Sequence, residues 1–389
     1  VAVEILTLTD GGQEAEQVAR RAAEFLRPAR ESLELALYDI RLPDPVGSIV
    51  ADELRAAAER GVRIRLLYNV DTKRPPALHP PPRTRPEILD ELPIETRAVP
   101  GIPDLMHHKY AVRDGEAVWT GSANWTIDSW TRQENVAVLV ESEPLASAYR
   151  TNFDELWERR DVEHSGLAEP EMVKLDNGAG ARAWFTPGNG EELSQAIASA
   201  IGRARERVRV ASPVITSAPI IATLAEAGDR ARVDIAGIVD EPQTDHVFHQ
   251  WRENGHSAWK IPLLAAALEK LPFAGKPSTP WTENSVHDFM HAKVTVADDT
   301  VFVGSFNLSR SGEMNAENVL EVHDPALAGR LARFVDEIRA RYPDTTVPEH
   351  AAATISDASS VQAASSRSPG EIRPGASSSE RIQSNSPDQ

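Results

Sequence analysis

The order of amphipathic segments in this chain occurs twice, and that repetition limits its fold more than any other feature. The stretch "EAEQVARRAAEFL" carries Val18, Ala22, Phe25 and Leu26 on one helical face, and "SLELALYDI" follows as a buried strand. A helix over "VGSIVADELRAAAERG", with Val50, Leu54, Ala57 and Ala58 at helical spacing, leads to the strand "VRIRLLYNVD", which closes at Asp71. The same succession returns as the strand "ARAWFTPG", the helix "EELSQAIASAIGRA", the strand "ERVRVASPVI", the helix "APIIATLAEAGD" and the strand "ARVDIAGIVD", closing at Asp240. Alternation of strand and helix favours parallel pairing with helices over the sheet faces. The reading is α/β: two similar halves, each a mostly parallel sheet flanked by helices, related by a pseudo-twofold axis. They span residues 1–160 and 181–345, joined by a linker at 161–180, and each closes on an amphipathic helix, "PLASAYRTNFDELWERR" or "PALAGRLARFVDEIRARY". Residues 346–389 are rich in Ser, Ala and Pro with almost no bulky apolar side chain, too little to offset the entropy of ordering, and are expected to be disordered.

Each half also carries the same polar constellation. In "MHHKYAVRDGEAVWTGSANWTIDSWTRQENVAV", His107, Lys109 and Asp114 stand at the spacing that His291, Lys293 and Asp298 repeat in "FMHAKVTVADDTVFVGSFNLSRSGEMNAENVLEV". Gly121-Ser122-Ala123-Asn124 matches Gly304-Ser305-Phe306-Asn307 after a turn one residue shorter in the second copy, and Glu134 and Glu317 each follow ten positions after the Asn. Residues two apart on a strand point to one side, so each His and Lys project together. Asp114 and Asp298 fall at the following turns, where a carboxylate braces backbone amides rather than reacts. Glycine allows close approach of the returning strand to a bound group, and Ser122 and Ser305 bring hydroxyls that donate to an anionic oxygen. Paired His, Lys, Ser and Asn facing each other across a pseudo-twofold axis make a pocket for one tetrahedral anion, most simply a phosphodiester.

Both motifs together resemble the signature of the phospholipase D superfamily, here twice in one chain and covering about residues 1–345. The resemblance implies two similar α/β halves whose motifs meet at their interface. It implies a phosphohistidine intermediate, with His107 as nucleophile and His291 as the acid that protonates the leaving alcohol and then activates water or an acceptor alcohol. It further implies that Lys109, Lys293, Asn124 and Asn307 stabilise charge on the phosphate oxygens, and that Glu134 and Glu317 each accept a hydrogen bond from a histidine Nδ1.

Several simpler readings weigh against other chemistries. There is no cysteine, so thiolate metal sites and cysteine nucleophiles are excluded. His287 and His291 are four apart but lack a third ligand, so no metal or other cofactor is expected, and Gly-Ser-Ala-Asn is not a serine-hydrolase elbow. His108 falls on the opposite strand face and reads as packed or solvated. Trp119, Trp125 and Trp130 read as core. A non-catalytic scaffold is disfavoured by the intact residues of both motifs.

The substrate is less sharply defined. Loops after Asp71 and Asp240 should border the cleft, since ligands sit beyond the carboxyl ends of the strands. The first, "TKRPPALHPPPRTRP", bears Lys73, Arg74, Arg83 and Arg85, and suits an anionic head group or a nucleic-acid backbone. The second contains Leu263, Leu264, Leu268, Leu271, Phe273 and Trp281, which offer apolar surface to acyl chains or a membrane interface. A formal net charge of −18 disfavours non-specific nucleic-acid coating. The balance favours a phospholipid substrate met at a membrane surface, with nucleic acid as the alternative and hydrolysis and transfer both open. Cardiolipin synthesis is disfavoured, since the membrane-spanning segments usual in that branch are missing. Both half-sites lie in one chain, so a monomer is expected, and cytoplasmic, peripheral-membrane and secreted locations remain compatible. Removing everything after Glu349 should leave the melting temperature nearly unchanged; a loss of several degrees in a thermal scan would show that the tail packs on the core.

Overall fold

A computed structural model describes residues 3–70, 92–101, 104–228, 233–282 and 285–348. The first half runs β1 (Val3–Leu8), α1 (Ala15–Leu26), β2 (Ser32–Leu37), β3 (Ile40–Arg41), α2 (Val46–Glu59), β4 (Arg63–Val70), β5 (Glu95–Pro100), β6 (Lys109–Arg113), β7 (Ala117–Gly121), β8 (Trp125–Thr126), α3 (Ile127–Thr131), β9 (Asn135–Glu141) and α4 (Glu143–Arg159). The second runs β10 (Val173–Lys174), β11 (Gly180–Phe185), α5 (Gly190–Arg203), β12 (Arg207–Ala211), α6 (Ala218–Ala227), β13 (Asp234–Asp240), α7 (Glu241–Asn254), α8 (Ile261–Lys270), β14 (Phe273–Lys276), β15 (Val294–Ala297), β16 (Thr300–Gly304), α9 (Arg310–Met314), β17 (Asn318–His323) and α10 (Pro325–Arg339).

The α/β class holds, but the sheets are mixed rather than mostly parallel. Their strand orders are β1-β9-β7-β6-β2-β4-β5 and β10-β11-β17-β16-β15-β12-β13-β14. Parallel pairing in these sheets is confined to β2–β4–β5 and β12–β13–β14. Helical crossovers can return a strand parallel, whereas the motif strands β6–β7 and β15–β16 are joined by tight hairpins that force antiparallel pairing.

Three apolar layers hold the sheets. Helices α1 and α2 cover the outer face of the first sheet through residues such as Val18, Phe25, Val50 and Leu54, and α5, α6 and α8 cover the outer face of the second. The inner faces share one core, in which Tyr149, Phe153 and Leu156 of α4 and Leu331, Phe334 and Ile338 of α10 pack with Val112, Val138, Val296 and Leu320 from both sheets. Burying each such large side chain contributes roughly 1.5–3 kcal/mol. Docking of the halves therefore rests on a shared apolar core. Trp119, Trp125 and Trp130 are all buried and meet edge to face or tilted in the outer core of the first half.

The segment expected to offer apolar surface is mostly internal. Leu264, Leu268, Leu271 and Phe273 are buried in the core beneath α8 and β14, while Leu263 and Trp281 are half-buried. Helical and strand periodicity turns those side chains inward, which a composition-based reading of a loop does not register. The exposed large apolar residue of this region is Trp259, 57 % exposed. Asp71, the segment with Lys73, Arg74, Arg83 and Arg85, and the Ser/Ala/Pro-rich tail from residue 349 lie outside the described residues.

The two motif hairpins turn on aspartates in left-handed conformation, Asp114 at φ 54° and Asp298 at φ 50°. Asp114 accepts from the amides of Arg30, Glu31 and Ser32, and Asp298 from those of Arg205, Glu206 and Arg207. Each thereby ties its hairpin to the start of the neighbouring strand, β2 or β12. Burial pushes the Asp298 carboxyl up, but the three amides outweigh it and hold the pKa below the usual carboxylate value. This stabilisation is present above the ordinary carboxylate pKa of about 3.9 and is lost as pH falls through the depressed value. Asp298→Ala should lower unfolding free energy in urea by about 2 kcal/mol at pH 7, and the deficit relative to wild type should shrink below pH 4. A deficit independent of pH would show that the carboxylate charge is not what holds the turn.

Candidate active site

Both motif histidines sit just before their strands, and the backbone of each is caught by the opposite half. His107 N donates to Ala316 O at 2.9 Å, and His291 N donates to Glu134 O at 3.2 Å, beside the isolated parallel bridges Met106–Ala316 and Met290–Glu134. The residue ahead of each histidine is anchored in its own half. Met106 N donates to Asn69 Oδ1 at 3.0 Å, and Met290 N to Asp240 Oδ2 at 2.9 Å. Burial pushes the Asp240 carboxyl up to about 6 against the bonds it accepts from Met290, Ser278 and Gln243.

The lysines behave as a matched pair. Lys109 Nζ donates to His107 O at 2.5 Å and Lys293 Nζ to His291 O at 2.6 Å, and both side chains are almost fully buried. Burial lowers the Lys109 ammonium to about 7 in spite of Glu317 and Asp39. Burial and the charge of Lys109 lower Lys293 well below the usual lysine range. Two buried amines whose charged forms are disfavoured by burial form a site whose charge a bound anion would balance.

His107 is 7 % exposed, and its Nδ1 lies 2.8 Å from both carboxylate oxygens of Glu317 in the other half. A carboxylate can only accept, so Nδ1 carries the proton and Nε2 keeps its lone pair. Burial lowers the ring to about 4, against the pull of Glu317, so the imidazole is neutral at neutral pH. Tyr38, which directly follows β2, packs edge-on against His107 at 4.8 Å between ring centroids and lies 4.9 Å from Lys109 Nζ. Its place at a strand's carboxyl end was the signal available for it in the sequence.

Glu134 does not occupy the position that its spacing implied. Gly121 pairs with Ala137 across β7–β9, while Gly304 pairs with Val319 across β16–β17, so the intervening segment is one residue longer in the first half. The serine contacts repeat the offset: Ser122 N donates to Val136 O and Ser305 N to Asn318 O. Asn135 consequently stands where Glu317 stands in the second half, and its Oδ1 lies 3.1 Å from His291 Nδ1. The Glu134 side chain instead accepts from Lys276 Nζ at 2.8 Å and Tyr342 Oη at 2.5 Å, in a buried network between the halves.

The other motif residues are also accounted for. A Cβ on Gly121 or Gly304 would fall 2.1 Å from the carbonyl oxygen of Val136 or Asn318, so these glycines admit the neighbouring strand rather than a bound group. Ser122 and Ser305 are fully buried, and the Ser122 hydroxyl donates to Asn135 Oδ1 at 2.7 Å while accepting from Val136 N. Ser305 Oγ accepts from Asn318 N at 3.0 Å. Asn124 and Asn307 each hold a buried Oδ1 with no hydrogen-bond partner among the described residues. His108 is fully buried, edge-on to Tyr110 and Phe185. His287 stacks between Trp281 and Phe289. Among the described residues no three His, Asp or Glu side chains form a group that could hold a metal ion, and no helix is long and apolar enough to cross a membrane.

Comparison with known proteins bears on this arrangement. The family model described as "Cardiolipin synthase, PLD-like domain" matches residues 23–157 and 197–339, one stretch in each half. A mitochondrial cardiolipin hydrolase of Xenopus laevis is 29 % identical over 133 residues, which is 34 % of this chain and 58 % of that protein. Cardiolipin synthase A of Yersinia pseudotuberculosis is 25 % identical over 360 residues, 87 % of this chain and 69 % of that protein. The crystal structure of phosphatidylserine synthase from Haemophilus influenzae superposes with a TM-score of 0.60 at 15 % identity, covering 93 % of this chain and 94 % of that one, and shows the same fold.

The buried lysine pair has a measurable consequence. A tetrahedral anion bound beside Lys109 and Lys293 would raise both ammonium pKa values, so the protein should take up protons on binding at pH 8. Titration calorimetry with sulfate in two buffers of different ionisation enthalpy should report uptake approaching about one proton, reduced in Lys109→Met. Heats that do not depend on the buffer would overturn this account of the pair.

Proposed function

Since the chain belongs to the phospholipase D-like family, whose domain matches both of its halves, we propose that it is a phosphodiesterase that cleaves or transfers the phosphodiester of phospholipids through a phosphohistidine. One observation carries the reading. Each motif histidine has its Nδ1 against an acceptor from the opposite half, Glu317 or Asn135, which turns both Nε2 atoms to reaction, while Lys109 and Lys293 supply the adjacent positive charge.

His107 Nε2 attacks phosphorus, the bond to the leaving alcohol breaks, and His291 gives that oxygen a proton. Neutral His291 then takes a proton from water or an acceptor alcohol, whose oxygen attacks the phosphohistidine and releases His107. Lys109 and Lys293 meet the charge on the non-bridging oxygens, and Asn124 and Asn307 bring further polar groups to the same motif ends. The nucleophile is a protein side chain and the charge is met by lysines, so the reaction is assigned no metal.

The lipid assignment draws on the names of the relatives, two of which act on or make cardiolipin, and on the acidic overall charge. The apolar insertion no longer supports it, because its side chains are buried. Similarity to a cardiolipin synthase over most of the chain also means that lack of a spanning helix among the described residues does not separate the protein from that branch.

Short-chain phosphatidylglycerol and single-stranded DNA, incubated in parallel with EDTA present, should yield products from the lipid, and a denaturing quench at alkaline pH should trap an acid-labile phosphorus adduct on His107. His107→Asn and His291→Asn should each reduce turnover by roughly 10³-fold, with the double variant little worse. Cleavage of DNA alone would replace the lipid reading with a nuclease. Activity lost to EDTA and restored by a divalent ion, with no adduct, would overturn the mechanism.

A further inference from the structure

The two half-sites differ at one atom position that the mechanism depends on. His107 Nδ1 faces a carboxylate, Glu317, and His291 Nδ1 faces the amide oxygen of Asn135. The orientation of that amide is determined by its other partners. Asn135 Nδ2 lies 3.0 Å from Ser129 O, a backbone carbonyl that can only accept, and also reaches Ser129 Oγ and Gln133 Oε1. The Ser122 hydroxyl, already accepting from Val136 N, donates to Oδ1. Reversing the amide would set its NH2 against Ser122 and its oxygen against the Ser129 carbonyl. Oδ1 therefore faces His291 and can only accept, so the proton belongs on His291 Nδ1.

We infer that Asn135, and not the Glu134 at motif spacing, is the positioning residue for His291, and that the unequal pair Glu317 and Asn135 divides the labour between the histidines. This rests on the phosphodiesterase reading above and deepens it. When His107 forms its bond to phosphorus, the ring keeps its Nδ1 proton and becomes cationic, and the Glu317 carboxylate meets that charge. His291 has the opposite requirement, since it must release its Nε2 proton to the leaving oxygen. A carboxylate at its Nδ1 would stabilise the imidazolium and weaken it as an acid. An amide oxygen fixes the ring and its tautomer without adding negative charge. The carboxylate of that half is used elsewhere, as Asp240 holding Met290 N where the first half has Asn69. The charged groups coupled to the motif lysines and to His107 are Glu317, Asp39 and Asp240 and the lysines themselves, all retained in the variants below.

Nitrogen NMR of the full chain labelled in histidine tests this without relying on turnover. In the wild type, neutral His291 should be the Nδ1–H tautomer; the Nε2–H tautomer would overturn the assignment. Asn135→Asp should raise the His291 titration midpoint by about one pH unit and move the basic limb of the turnover profile up with it. Glu134→Gln, which leaves the backbone carbonyl in place, should lower the melting temperature but leave that midpoint where it is. A midpoint that responds to Glu134→Gln and not to Asn135→Asp would overturn the proposal. If Asn135→Asp does not fold, the wild-type tautomer and the Glu134→Gln titration decide. Failure of the wild type to turn over any diester, with tautomer and shifts as stated, would refute the phosphodiesterase reading and leave the positioning assignment intact.

Discussion

Each motif histidine is held by the half of the chain to which it does not belong, and the rest of the site depends on that exchange. The amide of His107 donates to Ala316 and its ring to Glu317, and the amide of His291 donates to Glu134 while its ring faces Asn135. For both motif histidines the acceptor at Nδ1 comes from the other half. The apolar core shared by α4, α10 and the inner faces of both sheets therefore sets the relative placement of the two motifs as well as stability. A displacement of α4 or α10 would alter two hydrogen bonds at each histidine at once.

That same enclosure creates the electrostatic character of the site. The protein is acidic overall, yet Lys109 and Lys293 are both buried, and burial together with the charge of Lys109 lowers the tendency of Lys293 to stay charged. Their ammonium groups donate to the carbonyls of their own motif histidines, which places positive charge beside each ring. Under the proposed function, a bound phosphate would offset that unfavourable burial, because the interaction would be made in a low-dielectric, preorganised setting. Glu317 fixes the His107 tautomer and pulls against the depression of both Lys109 and Lys293.

Pseudo-symmetry is close at the hairpins and broken at the functional centre. Asp114 and Asp298 brace three amides each with nearly the same geometry, and Gly121 and Gly304 admit the adjacent strand in the same way. Against that common frame, one extra residue between Gly121 and its pairing partner Ala137, relative to Gly304 and Val319, moves an amide into the place of a carboxylate, and a second exchange sets Asn69 opposite Asp240. Buried sheet pairing tolerates no half-register, so the extra residue shifts the whole side-chain set by one position.

Much of this was legible along the chain. The duplicated His-Lys-Asp and Gly-Ser-x-Asn spacing identified the paired half-sites, because residues two apart on a strand share a face whatever the strand packs against. The alternation of helix and strand identified the α/β class, and the apolar faces of α4 and α10 were visible from their periodicity. What the chain order could not reveal was pairing across distance. Whether motif strands run parallel or antiparallel is set by hairpin closure, and whether Leu264, Leu268 and Phe273 face solvent or core is set by what lies beneath them. The partner of His291 is the sharpest case. Sequence spacing aligns Glu134 with Glu317, but the acceptor at a ring nitrogen is chosen by the register of β9 against β7 and by the docking of one half on the other, and both place Asn135 there.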